Sequence, residues 1–365
     1  MKPSRRSAAL IAATAVGLLA ASGVLATSAN ASTTFIGSLR HIKVIASTTP
    51  ANGDVNPYGV AVIPRSTGDL YRGDVLVSNF NNKANVQGTG TTIVQVSPRG
   101  KATLFAQVTD KACPGGVGLT TALVTLRSGW VIVGSLPTRN SVISGPGCLI
   151  VLDQWGHVRK TIAGRGIDGP WDMTALDQGN LTELFVTNVL GGILGRHNPD
   201  GGTVQRLLIT SAPFRTPRVL ASTTIGAGFP ARTDPNALVI GPTGVGLGRN
   251  GTLYVADTLR NRIAAIPGAV YRHSDDGPGF TVSKGGALNV QLGLAIAPNG
   301  DILTVNGGDG NMVETTPRGA QVAVVTVDKN SGGAGNLFGL AVKPGADAVY
   351  FVDDFGMDNN LQLLF

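Results

Sequence analysis

Six stretches of this 365-residue chain repeat one pattern. Each holds a short apolar strand that opens near a glycine, a tight turn, a second apolar strand ending in Asn, Asp or Ser, and a third strand. They open at Pro57-Tyr58-Gly59-Val60-Ala61, Gly116-Val117-Gly118-Leu119, Pro170-Trp171-Asp172-Met173, Pro242-Thr243-Gly244-Val245-Gly246, Leu292-Gly293-Leu294-Ala295 and Phe338-Gly339-Leu340-Ala341. Measured from the glycine position, where the third stretch carries Asp172, the intervals are 59, 54, 72, 49 and 46 residues. One such unit cannot bury its own apolar face, so each must pack against its neighbours. A propeller blade takes about 40–50 residues, and the one long interval implies an insertion of about 20 before the fourth unit.

The turns support strands throughout. Ser128-Gly129, Asn250-Gly251 and Asn299-Gly300 separate first from second strands, and such pairs accept the positive φ of a hairpin. Pro98-Arg99-Gly100, Asp200-Gly201-Gly202 and Pro317-Arg318-Gly319 separate third from fourth. The second strands, such as Trp130-Val131-Ile132-Val133 and Leu253-Tyr254-Val255, are β-rich. With 42% hydrophobic and 14% charged residues the chain is too apolar to be disordered, and its 51 Gly and 20 Pro break any long helix. Ala61, Gly246, Ala295 and Ala341 fall where innermost strands converge on an axis and bulk is hard to place. The expected fold is all-β, a six-bladed β-propeller of four-stranded blades. Its last unit ends at Leu361-Gln362-Leu363-Leu364-Phe365, a third strand with no fourth behind it. Ile42-Lys43-Val44-Ile45 is expected to complete that blade from the amino-terminal side, which removes two open edges.

Ahead of that strand, Lys2, Arg5 and Arg6 precede an uncharged apolar run from Ala8 to Ala26, then Ala29-Asn30-Ala31. Residues 1–31 read as a cleaved signal peptide and 32–365 as one exported domain, with ordinary secretion favoured over the twin-arginine route. The segment carries three positive charges, so the net charge falls from +7 to 7 − 3 = +4. Lys and Arg are scattered without interleaved aromatics, so nucleic acid is not an expected partner. With the signal removed nothing remains to span a membrane, and a monomer meeting an extracellular ligand or protein is expected. Cys113 and Cys148 flank the same mouth of the second unit, one before its first strand and one opening its third. They are expected to form a disulfide, which persists outside the cytosol.

Pro242-Thr243-Gly244-Val245-Gly246-Leu247, continued by Asn250-Gly251-Thr252-Leu253-Tyr254-Val255-Ala256-Asp257-Thr258 and Asn261-Arg262-Ile263, resembles a near-consensus NHL repeat. The fifth and sixth units match well, the first fairly, and the second and third are degenerate. The resemblance implies the propeller but leaves function open. NHL-like propellers include extracellular binding domains, a peptide-amidating lyase and relatives of gluconolactonase-type hydrolases.

In such a blade the start of the first strand and the end of the second meet at one mouth of the channel. Tyr58, Val117, Trp171, Thr243, Leu292 and Phe338 form one ring there. Asn79, Ser135, Asn188, Asp257, Asn306 and Asp353 form the other, with Asp172 beside them. Tyr58, Asn79, Trp171, Asp172, Asn188, Asp257, Asn306 and Asp353 are the candidate ligand-binding set, a carboxamide-rich funnel with aromatic platforms. Asp172, Asp257 and Asp353 could ligate an oxygen-loving cation such as calcium. Equally, Asn and Asp cap blade turns, and the aromatics wedge blades apart. His41, His157, His197 and His273 all lie away from this mouth, so the three-histidine zinc site of amidating lyases has no counterpart. Glu183 and Glu314 also lie off the rings, whereas gluconolactonase-type relatives use a carboxylate-rich metal site that includes a Glu. No phosphate loop, Gly-x-Ser-x-Gly elbow or Cys-x-x-Cys occurs; the Gly307-Gly308-Asp309-Gly310 and Gly332-Gly333 runs lack a following helix. The leading expectation is a binding or scaffold module. The alternative is a metal-assisted lyase or hydrolase with Asp172, Asp257 or Asp353 as ligand or base. The insertion, Ser211 to Ile240, is the expected lid or partner loop.

Overall fold

Twenty-four strands of the chain hydrogen-bond into six antiparallel four-stranded sheets, each with its strands in spatial order from axis to rim. The structure, a computed structural model, describes residues 34–140, 142–189, 201–234, 238–330 and 335–365. The signal segment 1–31, His197, Asp200 and Gly332-Gly333 lie outside the described residues. Blade one runs Val55–Val62, Val75–Asn81, Thr92–Val96, Ala102–Gln107. Blade two runs Leu119–Thr125, Val131–Ser135, Cys148–Leu152, Val158–Ala163. Blade three is the longest, with Pro170–Asp177, Leu181–Asn188, Gly202–Thr210 and Val219–Phe229. Blade four holds Pro242–Leu247, Leu253–Asp257, Arg262–Ile266 and Phe280–Lys284, and blade five Gln291–Ile296, Ile302–Asn306, Asn311–Thr315 and Gln321–Thr326. Blade six takes Leu337–Val342, Val349–Asp353 and Asn360–Leu364 from the carboxyl end, and Ile42–Ser47 from the amino end.

The closing strand is the one expected. Ile42 pairs with Leu364 and Ser47 with Asn360, and His41 and Phe365 exchange backbone bonds beyond the strand ends. A second tie lies just ahead of it. The backbone amides of Phe35 and Ile36 donate to the two carboxylate oxygens of Glu314 at 2.7 and 2.8 Å, and both side chains are buried against blades five and six. Each gap between neighbouring blades holds an apolar cluster, so the ring is held by six wedges rather than one central core.

Every innermost strand breaks register with its neighbour near its start, as at Pro57/Val60, Pro170/Met173 and Leu337/Leu340. In four of the six blades this bulge carries the repeat's glycine. A methyl at Gly339 would overlap the carbonyl oxygen of Tyr58, and one at Gly293 that of Phe338, so backbones of adjacent blades touch only because these residues have no side chain.

Two expectations give way here. In blade two, Leu119 pairs with Ser135 and Leu123 with Val133, which puts Thr120-Thr121 where blade one has Tyr58-Gly59. Gly116-Val117-Gly118 belongs to the approach loop; two glycines around an apolar residue imitate the strand opening without forming it. The insertion is not one loop either. Val219–Phe229, including Thr224-Ile225-Gly226-Ala227-Gly228, is the eleven-residue outer strand of blade three. The extra length sits in long strands and in a small hairpin, Arg232–Asp234 with Leu238–Ile240. Within Val219–Phe229 the burial does not alternate residue by residue, so no period-two pattern marks the strand in the sequence.

Cys113 and Cys148 form a disulfide with Cα atoms 5.9 Å apart and both residues buried. Closing 35 residues of sequence contributes roughly 3–4 kcal/mol in the chain-entropy account. Such a bond belongs to an oxidising compartment. Among the described residues no helix is long and apolar enough to cross a membrane.

Candidate functional site

The ring that opens the innermost strands does not form a funnel. Tyr58 stacks on Phe338 at 4.1 Å and on Phe80 at 4.4 Å, with Trp171 tilted against it at 6.1 Å. Leu292, Leu136, Val189 and the hairpin residues Leu238 and Val239 join them in one buried cluster. Burial pushes the Tyr58 hydroxyl far above its usual range, and the nearby Asp354 carboxylate adds to it. Among the described residues, this apolar cluster plugs the axis at the end where the innermost strands open.

The second ring lies behind the plug, mostly bonded within its own blades. Asn79 donates to the Thr48 carbonyl at 2.9 Å and to Thr92 Oγ1 at 3.2 Å. Asn188 accepts from the amides of Asp168 and Gly169. Asn306 donates to the Ala287 carbonyl and to Asp309. Asp257, fully buried, accepts from Arg262 Nε at 2.7 Å and faces Arg260 at 3.5 Å. Asp353 accepts from the Phe355 amide and from Gln362 Nε2; burial pushes its carboxyl up to about 6, helped by Asp328 and Asp358. Asp354 beside it is pushed up to about 7, by burial first and by Asp353 second.

Asp172 is the exception. It stands at the bulge position that is glycine in four other blades, and it turns the missing side chain into a bridge. Its Oδ1 accepts from the Met173 amide at 2.8 Å and its Oδ2 from the Val245 amide of blade four at 3.0 Å. Although 92% of its surface is buried (8% exposed), it lines a central channel of about 380 Å³. All six blades contribute to that channel, which runs from the level of Asp172, Thr121, Gly293 and Gly339 to the ends of the innermost strands at Val62, Thr125, Asp177, Leu247, Ile296 and Val342. None of the plug's side chains lines it. Its walls alternate aliphatic side chains, such as Val60, Leu123, Met173, Val245, Leu294 and Leu340, with the polar Thr121, Thr125 and Thr174 and bare backbone at Gly293 and Gly339. Burial pushes the Asp172 carboxyl up to about 7, against the opposing pull of its two amide donors. Asp177 is the other acid of the channel, at the open rim, and its oxygens accept from the amides of Gly179 and Arg127.

The three candidate cation ligands do not fit a common ion. Asp172 faces the central channel and is bonded to two backbone amides, Asp257 is neutralised by two arginines, and Asp353 is bonded at its own turn. Among the described residues no group of three or more His, Cys, Asp or Glu is placed to hold a metal ion. Sequence reasoning missed Thr121 and the channel's open end. The signal lay in the small and aliphatic residues at the close of each first strand, which leave space there.

No protein-family model matches this sequence, and no curated protein does. Solved structures do resemble it. A gluconolactonase from Xanthomonas campestris aligns at a TM-score of 0.57 and 12% identity, covering 90% of each chain. A calcium-binding regucalcin from Agrobacterium tumefaciens aligns at 0.54 and 12%, covering 88% of this chain and 93% of that one. Virginiamycin B lyase from Staphylococcus aureus aligns at 0.50 and 14%, covering 86% and 82%. The likeness is one of fold.

Proposed function

We propose that this chain is an exported NHL-type propeller that works as a monomeric binding module, with its ligand in the central channel. The near-consensus unit from Pro242 to Ile263 supports the NHL reading, and the disulfide supports export. The observation that carries the function is one buried carboxyl in a channel that all six blades line with both aliphatic and polar groups. The aliphatic side chains take an apolar body, and Asp172 takes a donor or cationic end. Alkylammonium ions of increasing length should raise the melting temperature progressively, and Ala341→Phe, which fills the channel, should abolish the rise. No length-dependent shift in the native protein overturns the proposal.

One observation favours an enzyme as the second reading: a carboxyl that titrates near pH 7 is suited to general acid–base work. Lyases and gluconolactonases share the fold. Turnover of gluconolactone or quinupristin, lost in Asp172→Asn, would decide for it.

A further inference from the structure

We infer that a second ligand site, for a pyranose ring, lies between blades two and three on the face where the channel opens. A pocket of about 240 Å³ there is lined by Trp130, Trp155 and Phe214 together with Ser128, Asp153 and Arg159. Three aromatic rings at one pocket are notable in a chain with only 5% aromatics. Trp130 forms the buried part, its Nε1 donating to the Ala212 carbonyl at 3.0 Å, which ties the loop after Thr210 against blade two. Trp155 is 44% exposed and Phe214 76% exposed, so two ring faces meet solvent at the pocket. Phe214 also holds a φ of +59°, a left-handed conformation that bulky residues rarely adopt. A strained backbone that presents a large apolar ring to water brings no folding benefit and points to a ligand.

The polar groups narrow the ligand's chemistry. Asp153 and Arg159 are paired at 2.6 Å, and the Asp153 carboxyl is held below its usual range by donors that include the amides of His157 and Trp155 and the guanidinium. The pocket's charges therefore cancel, which favours a neutral, polyhydroxylated ligand over an ion. Ser128, 91% buried (9% exposed), lines the pocket and has a hydroxyl without a hydrogen-bond partner, which a rotation of its side chain would offer to a ligand hydroxyl. A pyranose offers both faces of this chemistry. Its C–H face stacks on the electron-rich face of an indole, and its equatorial hydroxyls reach polar groups at the ring's edge.

The pocket also has a neighbour. The Asp69 amide donates to the Gln154 carbonyl at 2.9 Å, joining it to a second pocket of about 460 Å³ on blade one, where Tyr71 is 58% exposed and Gln95 Oε1, almost fully buried, has no partner. Two adjoining aromatic subsites suit an oligosaccharide better than a single sugar.

The test is calorimetry and tryptophan fluorescence with glucose, cellotriose, maltotriose and N-acetylchitotriose on the full exported protein. Saturable binding of at least one trisaccharide is expected, about tenfold or more tighter than glucose. Trp155→Ala and Phe214→Ala should each weaken it by about tenfold or more, and Ser128→Ala by about threefold, with unchanged melting temperature. Ala341→Phe should leave it intact, since the channel is separate. No saturable binding of any of these sugars, binding indifferent to both aromatic substitutions, or tighter binding of adenosine than of every trisaccharide overturns the inference.

Discussion

The two ends of the propeller axis are built from the same six strands and differ in almost everything else. At the end where innermost strands begin, Tyr58, Trp171 and Phe338 meet over the axis and Leu238 and Val239 fold in from a hairpin. At the other end the same strands close with Val62, Leu247, Ile296 and Val342 around open space. Among the described residues, large side chains fill the axis where the innermost strands begin, and smaller ones leave space where they end. The axis is thus stabilised at one end and left available at the other.

Removing the plug should have the largest effect. Trp171→Ala deletes a buried indole from the cluster, and a loss of about 3–5 kcal/mol is expected by urea unfolding. Alkylammonium binding in the channel should survive it at temperatures where the variant stays folded. If Trp171→Ala abolished that binding with the fold intact, the division into closed and open ends would fail.

Next comes the disulfide on the plugged side. Replacing both Cys113 and Cys148 by Ser should cost about 2–4 kcal/mol, again by equilibrium unfolding, without moving ligand affinity. The channel end should instead show itself through pH. Asp172 has an ordinary value of 3.8 and is pushed up to about 7. Below about pH 4 folded and unfolded chains both hold this proton. Between about 4 and 7 the unfolded chain has lost it while the folded one keeps it, so stability falls as pH rises and levels off above 7. Asp172→Asn should remove up to about 1.4 kcal/mol per pH unit from that slope. Asp353 and Asp354 would keep the remainder, being pushed up to about 6 and about 7. An unchanged slope would show that Asp172 is solvated and the channel wetter than its walls suggest. The smallest effect belongs to Ala341→Val at the open end, less than about 1 kcal/mol, because the channel has room for two methyls.

This contrast also marks where sequence reading stopped. The closing strand was legible because Leu361–Phe365 left an edge that only an earlier segment could cover. The disulfide was legible because the repeat put both cysteines at one mouth. Blade two's register was not, since Gly116-Val117-Gly118 carries the composition of a strand opening in a loop. Tyr58, Trp171 and Phe338 were correctly assigned to one ring, yet nothing in their spacing says whether aromatic side chains lean on each other or stand apart. That depends on Phe80 and on a hairpin folding in from blade three, contacts between residues distant in sequence. Asp172 stood out because it breaks a glycine pattern, but its bridge to Val245 needed coordinates.

Among the described residues strand 42–47 pairs with residues 360–364, and backbone bonds of Arg40 and His41 to Phe365 extend that pairing. The first part of the domain to leave the ribosome must therefore wait for the last. During synthesis strand 42–47 has no partner until residues 360–364 emerge, and the wedge between blades one and six cannot form before then. Closure of the ring waits for that pairing, and any factor that holds the nascent chain must keep strand 42–47 free until residues 360–364 arrive.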